Sequence, residues 1–209
     1  MDVNYVKDGE TMLWVAAFKG LLPVVKILLA TPGIKVNLAK QSLGYTPLMA
    51  ATFHGNSEVV KQLLTSPLID VNQAETNGGI SPLWKAAQHG RVEIVKLLLA
   101  DPRLDLNQRG GKSRPANMPP IGIAAYYGRL EVVKLLLRCP KTDISFQIGG
   151  YTLVDAANAD VREFDQDWVA SETRVRLGSD SEIRQRKIEI VKAIQSRRAL
   201  LDQGHTCPK

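Results

Sequence analysis

The chain has 209 residues, of which 44% are hydrophobic, 23% charged and only 6% aromatic, and its formal net charge is +6. That balance is ordinary for a folded domain. No run approaches the roughly eighteen apolar residues of a membrane-spanning helix, and Met1-Asp2-Val3-Asn4-Tyr5 lacks the basic and apolar regions of a signal peptide. Two cysteines, Cys139 and Cys207, show no metal-ligand spacing. A reduced, intracellular setting, cytoplasmic or nuclear, is the simplest expectation, and it also fits an effector delivered into a host cytosol.

Taken in order, the chain repeats itself. Residues 2–4, Asp-Val-Asn, return as Asp70-Val71-Asn72, so the chain opens on the ending of a unit: either the array starts here or it continues upstream. A first unit, near 9–37, carries Thr11, Leu13, Ala16 and Gly20, then Val24, Val25, Leu28 and Leu29 on one helical face, with Pro23 suited to a first helical turn. A second, 44–72, reads Gly44-Tyr45-Thr46-Pro47-Leu48 to Gly55, then Glu58-Val59-Val60-Lys61 and Leu63-Leu64. A third, 79–107, copies it: Thr46 to Ser81 and Gly55 to Gly90 are both 35 residues. Fixed-period self-similarity of this length marks stacked supersecondary units. Thr46 is expected to cap a first helix, Gly55 to end it in a left-handed conformation, and Asn56 or Ser57 to cap a second.

The fourth unit, near 115–145, keeps Ala124, Gly128 and Glu131-Val132-Val133-Lys134 but has a distorted first half. Gly90 to Gly128 is 38 residues, the extra length lying in the basic loop Gln108 to Pro115. Its Gly110-Gly111-Lys112-Ser113 lacks the upstream glycine and the strand of a phosphate loop. A fifth unit begins at Gly150-Tyr151-Thr152-Leu153 and breaks. Residues 158–186 read as a charged insertion holding Trp168, and 187–209 as the second helix of a capping unit and a tail, so the array proper spans 1–157. The insertion is either a binding loop or a poorly ordered excursion.

Gly44 to Asn72 resembles an ankyrin repeat: a tight turn, a Thr-Pro-Leu start, a short helix, Gly, a second helix and a return loop. The resemblance implies an all-α ankyrin-repeat solenoid of stacked helix-turn-helix units with β-turn or hairpin-like loops. It also implies a protein–protein interaction module, monomeric, without cofactor or membrane partner, that binds a protein or peptide on its concave face. The pattern departs from the family in two ways. The return loops carry Pro32, Pro67, Pro102 and Pro140, and the family's His after Thr-Pro-Leu is replaced by Trp14, Met49, Trp84, Gly122 and Asp155. Trp14 and Trp84 are expected to substitute apolar packing for its hydrogen bonds.

Positions that the pattern leaves free are the candidate contacts: Phe18, Phe53 with His54, Gln88 with His89, and Tyr126 with Tyr127 before each helix-ending Gly, and Tyr45 and Tyr151 after the turn Gly. An exposed aromatic series suits an extended peptide or a helix laid across units; alternatively these rings pack sideways within the stack. Lys26, Lys61, Lys96 and Lys134 recur beside core positions and read as a solvated outer face. Residues 103–149 hold eight Lys and Arg against three Asp and Glu, a local +5, which raises nucleic-acid binding through the loop 103–114 (Arg103, Arg109, Lys112 and Arg114) as the alternative. The array could equally serve as the targeting module of a larger enzyme. No catalytic motif is present and no constellation of His and carboxylates forms one.

Overall fold

The computed structural model describes residues 2–112, 117–147, 150, 152–159 and 180–203. Among these it forms ten helices in five pairs: α1 (Met12–Lys19) and α2 (Leu22–Leu29), α3 (Pro47–His54) and α4 (Ser57–Leu64), α5 (Pro82–His89) and α6 (Val92–Leu99), α7 (Pro120–Tyr126) and α8 (Leu130–Arg138), α9 (Leu153–Asn158) and a longer α10 (Asp180–Asp202). A hairpin of β1 (Val6–Lys7) and β2 (Glu10–Thr11) precedes α1. Its loop residues Asp8 and Gly9 both have positive φ, as a two-residue hairpin loop requires. First helices pack on first helices, α1 through α9, and second helices on second, α2 through α10. The architecture is the expected all-helical solenoid.

Local chemistry sets each helix. The hydroxyls of Thr11, Thr46 and Ser81 accept the amides of Trp14, Met49 and Trp84 at 3.1, 3.1 and 3.3 Å, and Thr152 forms a reciprocal capping box with Asp155. Pro119 holds the same place before α7 without a side-chain cap. At the other end Gly55 turns left-handed (φ 78°), so that its amide and that of Asn56 fold back on Thr52 and Ala51. The second helices start differently from expectation. Neither Asn56 nor Ser57 caps α4. Instead Leu21, Asn56, Arg91 and Arg129 each adopt the φ and ψ of an inverse γ-turn, and the next amide bonds the carbonyl of the preceding Gly at 2.9–3.0 Å.

Leu13, Leu48, Leu83, Ile121 and Leu153 of the first helices are buried, with Ala16, Ala51, Ala86 and Ala124 letting neighbours approach. Val25, Val60, Val95 and Val133 do the same for the second helices. Only Ile190 and Ile194 of α10 are fully buried, as fits a helix with a partner on one side. It starts at Asp180, inside the segment read as insertion and seven residues before 187; Glu182, Arg184, Gln185 and Arg186 are all strong helix formers. The rest of the expected insertion, 160–179 with Trp168, lies outside the described residues.

Two side-chain ladders tie the units together. Asn4, Asn37, Asn72 and Asn107 donate from Nδ2 to the carbonyls of Gly33, Leu68, Arg103 and Lys141, at 2.7–2.9 Å. Their Oδ1 atoms accept the amides of Lys35, Asp70, Asp105 and Asp143, at 2.7–2.9 Å. In the second ladder, the residue after the helix-ending Gly of units two to four reaches back to the preceding unit. Asn56 Nδ2 donates to Ala17 and Phe18 carbonyls (2.9 and 3.1 Å), Arg91 Nη2 to Phe53 (3.3 Å) and Arg129 Nε to Gln88 (2.9 Å). This is why Asn56 is not a cap. The braces pass over the glycines: a Cβ on Gly55 would lie 2.6 Å from Arg91 Nη1.

Gly55→Val therefore meets both a left-handed backbone and the Arg91 guanidinium. It should cost at least about 2 kcal/mol, lowering Tm by roughly 4–8 °C; a melting curve superimposable on wild type contradicts this. Asn72→Ala removes a two-bond clamp and should cost about 1–2 kcal/mol in chemical denaturation.

Candidate partner-binding face

The residues preceding the helix-ending glycines lie on the first-helix side. Phe18 is 38% exposed; its ring stacks on Trp14 at 5.1 Å and lies 4.0 Å from the His54 imidazole. His54, itself exposed, sits 4.9 Å from Phe53, and Phe53 sits 5.3 Å from His89, both edge to face. Tyr45 approaches Phe53 from the turn at 6.3 Å. The rings of Phe18, His54, Phe53, Tyr45 and His89 thus form one strip across units one to three. Burial and the nearby Glu75 carboxylate push the Tyr45 phenol above its ordinary range. Glu75 is itself buried and accepts the amides of Asn77 and Ile80.

Three expected contact residues are not at the surface. Gln88, Tyr126 and Tyr127 are 6%, 1% and 6% exposed. The two tyrosines pack edge to face at 5.1 Å, and Lys187 of α10 lies 5.9 Å above the Tyr126 ring. Gln88 accepts from Lys85 Nζ at 3.1 Å and donates to the Tyr127 hydroxyl at 3.5 Å. Gln88 of the third unit packs against Tyr127 of the fourth, and α10, packed on α8 and α9, brings Lys187 over Tyr126, so here the sideways-packing alternative is the one the structure adopts. Tyr151 lies outside the described residues.

The tryptophans divide. Trp84 Nε1 donates to the Met118 carbonyl at 2.9 Å, so it supplies a hydrogen bond between turns as well as packing. Trp14 only packs: its buried Nε1 has no acceptor among the described residues, and Lys40 Nζ lies 4.8 Å above its ring. Gly122 is bare because the Phe146 ring occupies the place of a side chain; a Cβ there would lie 2.8 Å from Phe146 Cζ.

Lys85 was not among the positions singled out from sequence. It is 1% exposed, with Nζ 5.7 and 5.6 Å from the Phe53 and Trp84 ring centroids. Burial drives its pKa down from 10.5 to about 8, and the Glu75 carboxylate opposes that drop. The signal was available: the same position holds Val15, Ala50, Ile123 and Ala156 in the other units.

The basic loop reads less basic in three dimensions. The Arg103 guanidinium bonds Asp101 through Nε (2.9 Å) and Nη2 (2.6 Å), and the Pro67 and Ile69 carbonyls through Nη1 (3.0 and 3.1 Å). Lys112 Nζ donates to Asn77 at 3.2 Å, Arg109 is exposed, and Arg114 lies outside the described residues. On the opposite side Lys96 and Lys134 pair with Glu93 and Glu131 one helical turn away, the solvated face expected. No cluster of three or more His, Cys, Asp or Glu capable of holding a metal occurs among the described residues. No helix among them is long and apolar enough to cross a membrane.

A family profile for ankyrin repeats, in three copies, matches residues 1–75 and 68–148, well over half of the chain. No curated protein matches it.

Lys85 gives the face a pH signature. Below about pH 8 the ammonium is charged in both the folded and the unfolded chain, and its burial costs stability on the order of 3 kcal/mol. As pH rises from about 8 the folded chain releases this proton before the unfolded chain does, so stability rises. Near pH 10 the raised Tyr45 acts the other way, because the unfolded chain ionises its phenol first. Lys85→Met should therefore be more stable than wild type at pH 7, and the difference should shrink from pH 8 to 10 in urea titrations. A less stable variant would sink this account of Lys85.

Proposed function

Since the chain belongs to the ankyrin repeat family, whose repeats generally act as protein–protein interaction modules, we propose that it binds a partner protein or peptide across units one to three. The binding surface is the first-helix face, through Phe18, Tyr45, Phe53, His54 and His89. The observation that carries this reading is the unbroken strip of rings from Trp14 and Phe18 to His89. Each ring is held by its neighbour, so little side-chain entropy is lost when a partner covers it. Aromatic groups with exposed edges and faces are the usual anchors of such contacts. The strip runs across the helices, from one unit to the next, which suits an extended segment or a helix lying along the array. A role as targeting module for a larger enzyme or a secreted effector is compatible with the same face.

Nucleic acid has less support as the ligand. Arg103 spends its guanidinium on Asp101 and two carbonyls, leaving a narrower basic surface than the sequence suggested.

The test is partner recovery from the native cell with wild type, with Phe18→Ala/Phe53→Ala, and with Lys61→Ala/Lys96→Ala on the outer face. The aromatic double variant should weaken the recovered complex by about a hundredfold or more, and the lysine variant should leave it intact. Binding should survive a rise from 50 to 200 mM salt, a change that costs a phosphate-backbone complex roughly three to five orders of magnitude. Unaltered partners with the aromatic variant would overturn the assignment.

A further inference from the structure

The outer face of unit one departs from the pattern that the inner units keep. Where units two to four read Asn56-Ser57-Glu58, Arg91-Val92-Glu93 and Arg129-Leu130-Glu131, unit one reads Leu21-Leu22-Pro23. Every polar or charged residue of that run is gone. Met12 stands where Pro47, Pro82 and Pro120 are buried, and it is 50% exposed. Ile27, in the place of Gln62, is 68% exposed, and Leu21 is 43% exposed. Val24 is only partly buried, while Val59, Ile94 and Val132 in its place are closed to solvent. We propose that this face of α1 and α2 is a self-association surface, on which a second copy of the chain docks face to face about a two-fold axis.

The stack shows what these positions do when a neighbour is present. First helices pack on first helices and second on second, α1 with α3 and α2 with α4, then α3 with α5 and α4 with α6. Unit one carries the same kind of surface, and no helix precedes it among the described residues. An array of this kind needs a polar outer face at its ends, because an exposed apolar end is an interaction surface. The far end meets that need: α10 exposes Arg184, Glu189 and Lys192.

Leu21 decides what kind of neighbour fits. In a continuing array its position reaches back: Asn56, Arg91 and Arg129 each donate to a carbonyl of the preceding unit. Leucine has no donor, so a unit stacked there in the ordinary way would lose this brace. The face is built for apolar contact, and within the chain the surface that matches it is the same face of a second copy. Docking on α10 instead, head to tail, would cover the charges of Arg184, Glu189 and Lys192 with apolar groups. Charge favours the same pairing. Residues 2–37 hold four lysines against three acids, so most of the net +6 lies elsewhere and two copies repel least when they meet by unit one. A two-fold contact of this type closes at two chains, a dimer in place of the monomer that the family resemblance implies. Helices of eight residues are about 12 Å long, so the contact is smaller than a standard interface and should dissociate in roughly the micromolar range.

The test is sedimentation equilibrium of the full chain under reducing conditions, from roughly 1 to 300 μM, the range in which so small an interface associates. Wild type should pass from the mass of one chain to that of two and stop there. Met12→Glu/Ile27→Glu, two changes at exposed positions, should weaken the dimer at least tenfold. Leu21→Asn, which installs the residue that unit two carries, should weaken it as well and keeps the test open if the double variant fails to fold. Leu200→Glu/Leu201→Glu, at the exposed apolar end of α10, should dimerise as wild type does. A wild type that stays monomeric throughout leaves the face to some other occupant and overturns the proposal. So does a mass that climbs past two chains, a dimer lost in the α10 variant, or a dimer indifferent to the unit-one variants when they melt like wild type.

Discussion

One asparagine amide per unit sets the spacing of the array. Asn4, Asn37, Asn72 and Asn107 each give a donor and an acceptor to the next return loop, two residues apart on that loop. A primary amide carries its donor and its acceptor on separate atoms, so it can serve a carbonyl and an amide two residues apart and acts as a detached piece of strand. The Asp two residues before three of these asparagines folds its carboxylate onto the asparagine's own amide, as in Asp70 with Asn72 at 2.9 Å. The recurring Asp-x-Asn is thus a relay: the aspartate shapes the turn, and the asparagine passes the register on. Val71, between Asp70 and Asn72, turns inward and is buried, as does Val36 at the same place before Asn37. The helices stack because these loops already hold the units at a fixed distance.

The relay also explains where regularity ends. After Asp143 the chain carries Ser145, whose hydroxyl bonds the same Asp143 at 2.8 Å and reaches no further loop. Among the described residues no asparagine continues the ladder from here, and packing closes this end. Phe146 fills the space above Gly122, and α10 buries Ile190 and Ile194 against α8 and α9. Arg198 Nη2 reaches the Ile144 carbonyl at 3.5 Å, a single long bond where the regular units have two short ones.

Much of this was legible in the sequence because the repeat period fixes positions independently of residue identity. Caps at Thr11, Thr46, Ser81 and Thr152, the left-handed turn at Gly55 and the buried Val and Ala rows follow from local chemistry repeated in phase. What sequence reasoning missed depends on the neighbouring unit. Asn56 has a cap's chemistry, yet the carbonyls at the end of α1 compete for its amide and win. Trp84 finds an acceptor only because the distorted fourth turn brings Met118 to it. Tyr126 and Tyr127 occupy formally free positions, yet both are buried, Tyr127 against Gln88 of the third unit and Tyr126 under Lys187 of α10, which follows a break in the pattern. Of the proposed contacts, Phe18, Tyr45, Phe53, His54 and His89 come together, while Gln88, Tyr126 and Tyr127 turn inward.

Lys85 is where scaffold and surface reasoning part. Folding offers no reason for it: the position takes Val15, Ala50, Ile123 and Ala156 elsewhere, and an ammonium buried there is destabilising at neutral pH. Its surroundings soften that cost without cancelling it. The Phe53 and Trp84 π-systems lie within cation–π range, Gln88 accepts one hydrogen bond, and Glu75 lends a favourable field. Those partners include Phe53 from the aromatic strip, and Glu75 also acts on Tyr45. A charge held at a loss in the scaffold, and coupled to two residues of the candidate interface, fits a position kept for recognition rather than stability. Lys85 and Glu75 thus set one buried charge of each sign behind the Phe53 and Tyr45 rings, a pairing that the repeat itself does not call for.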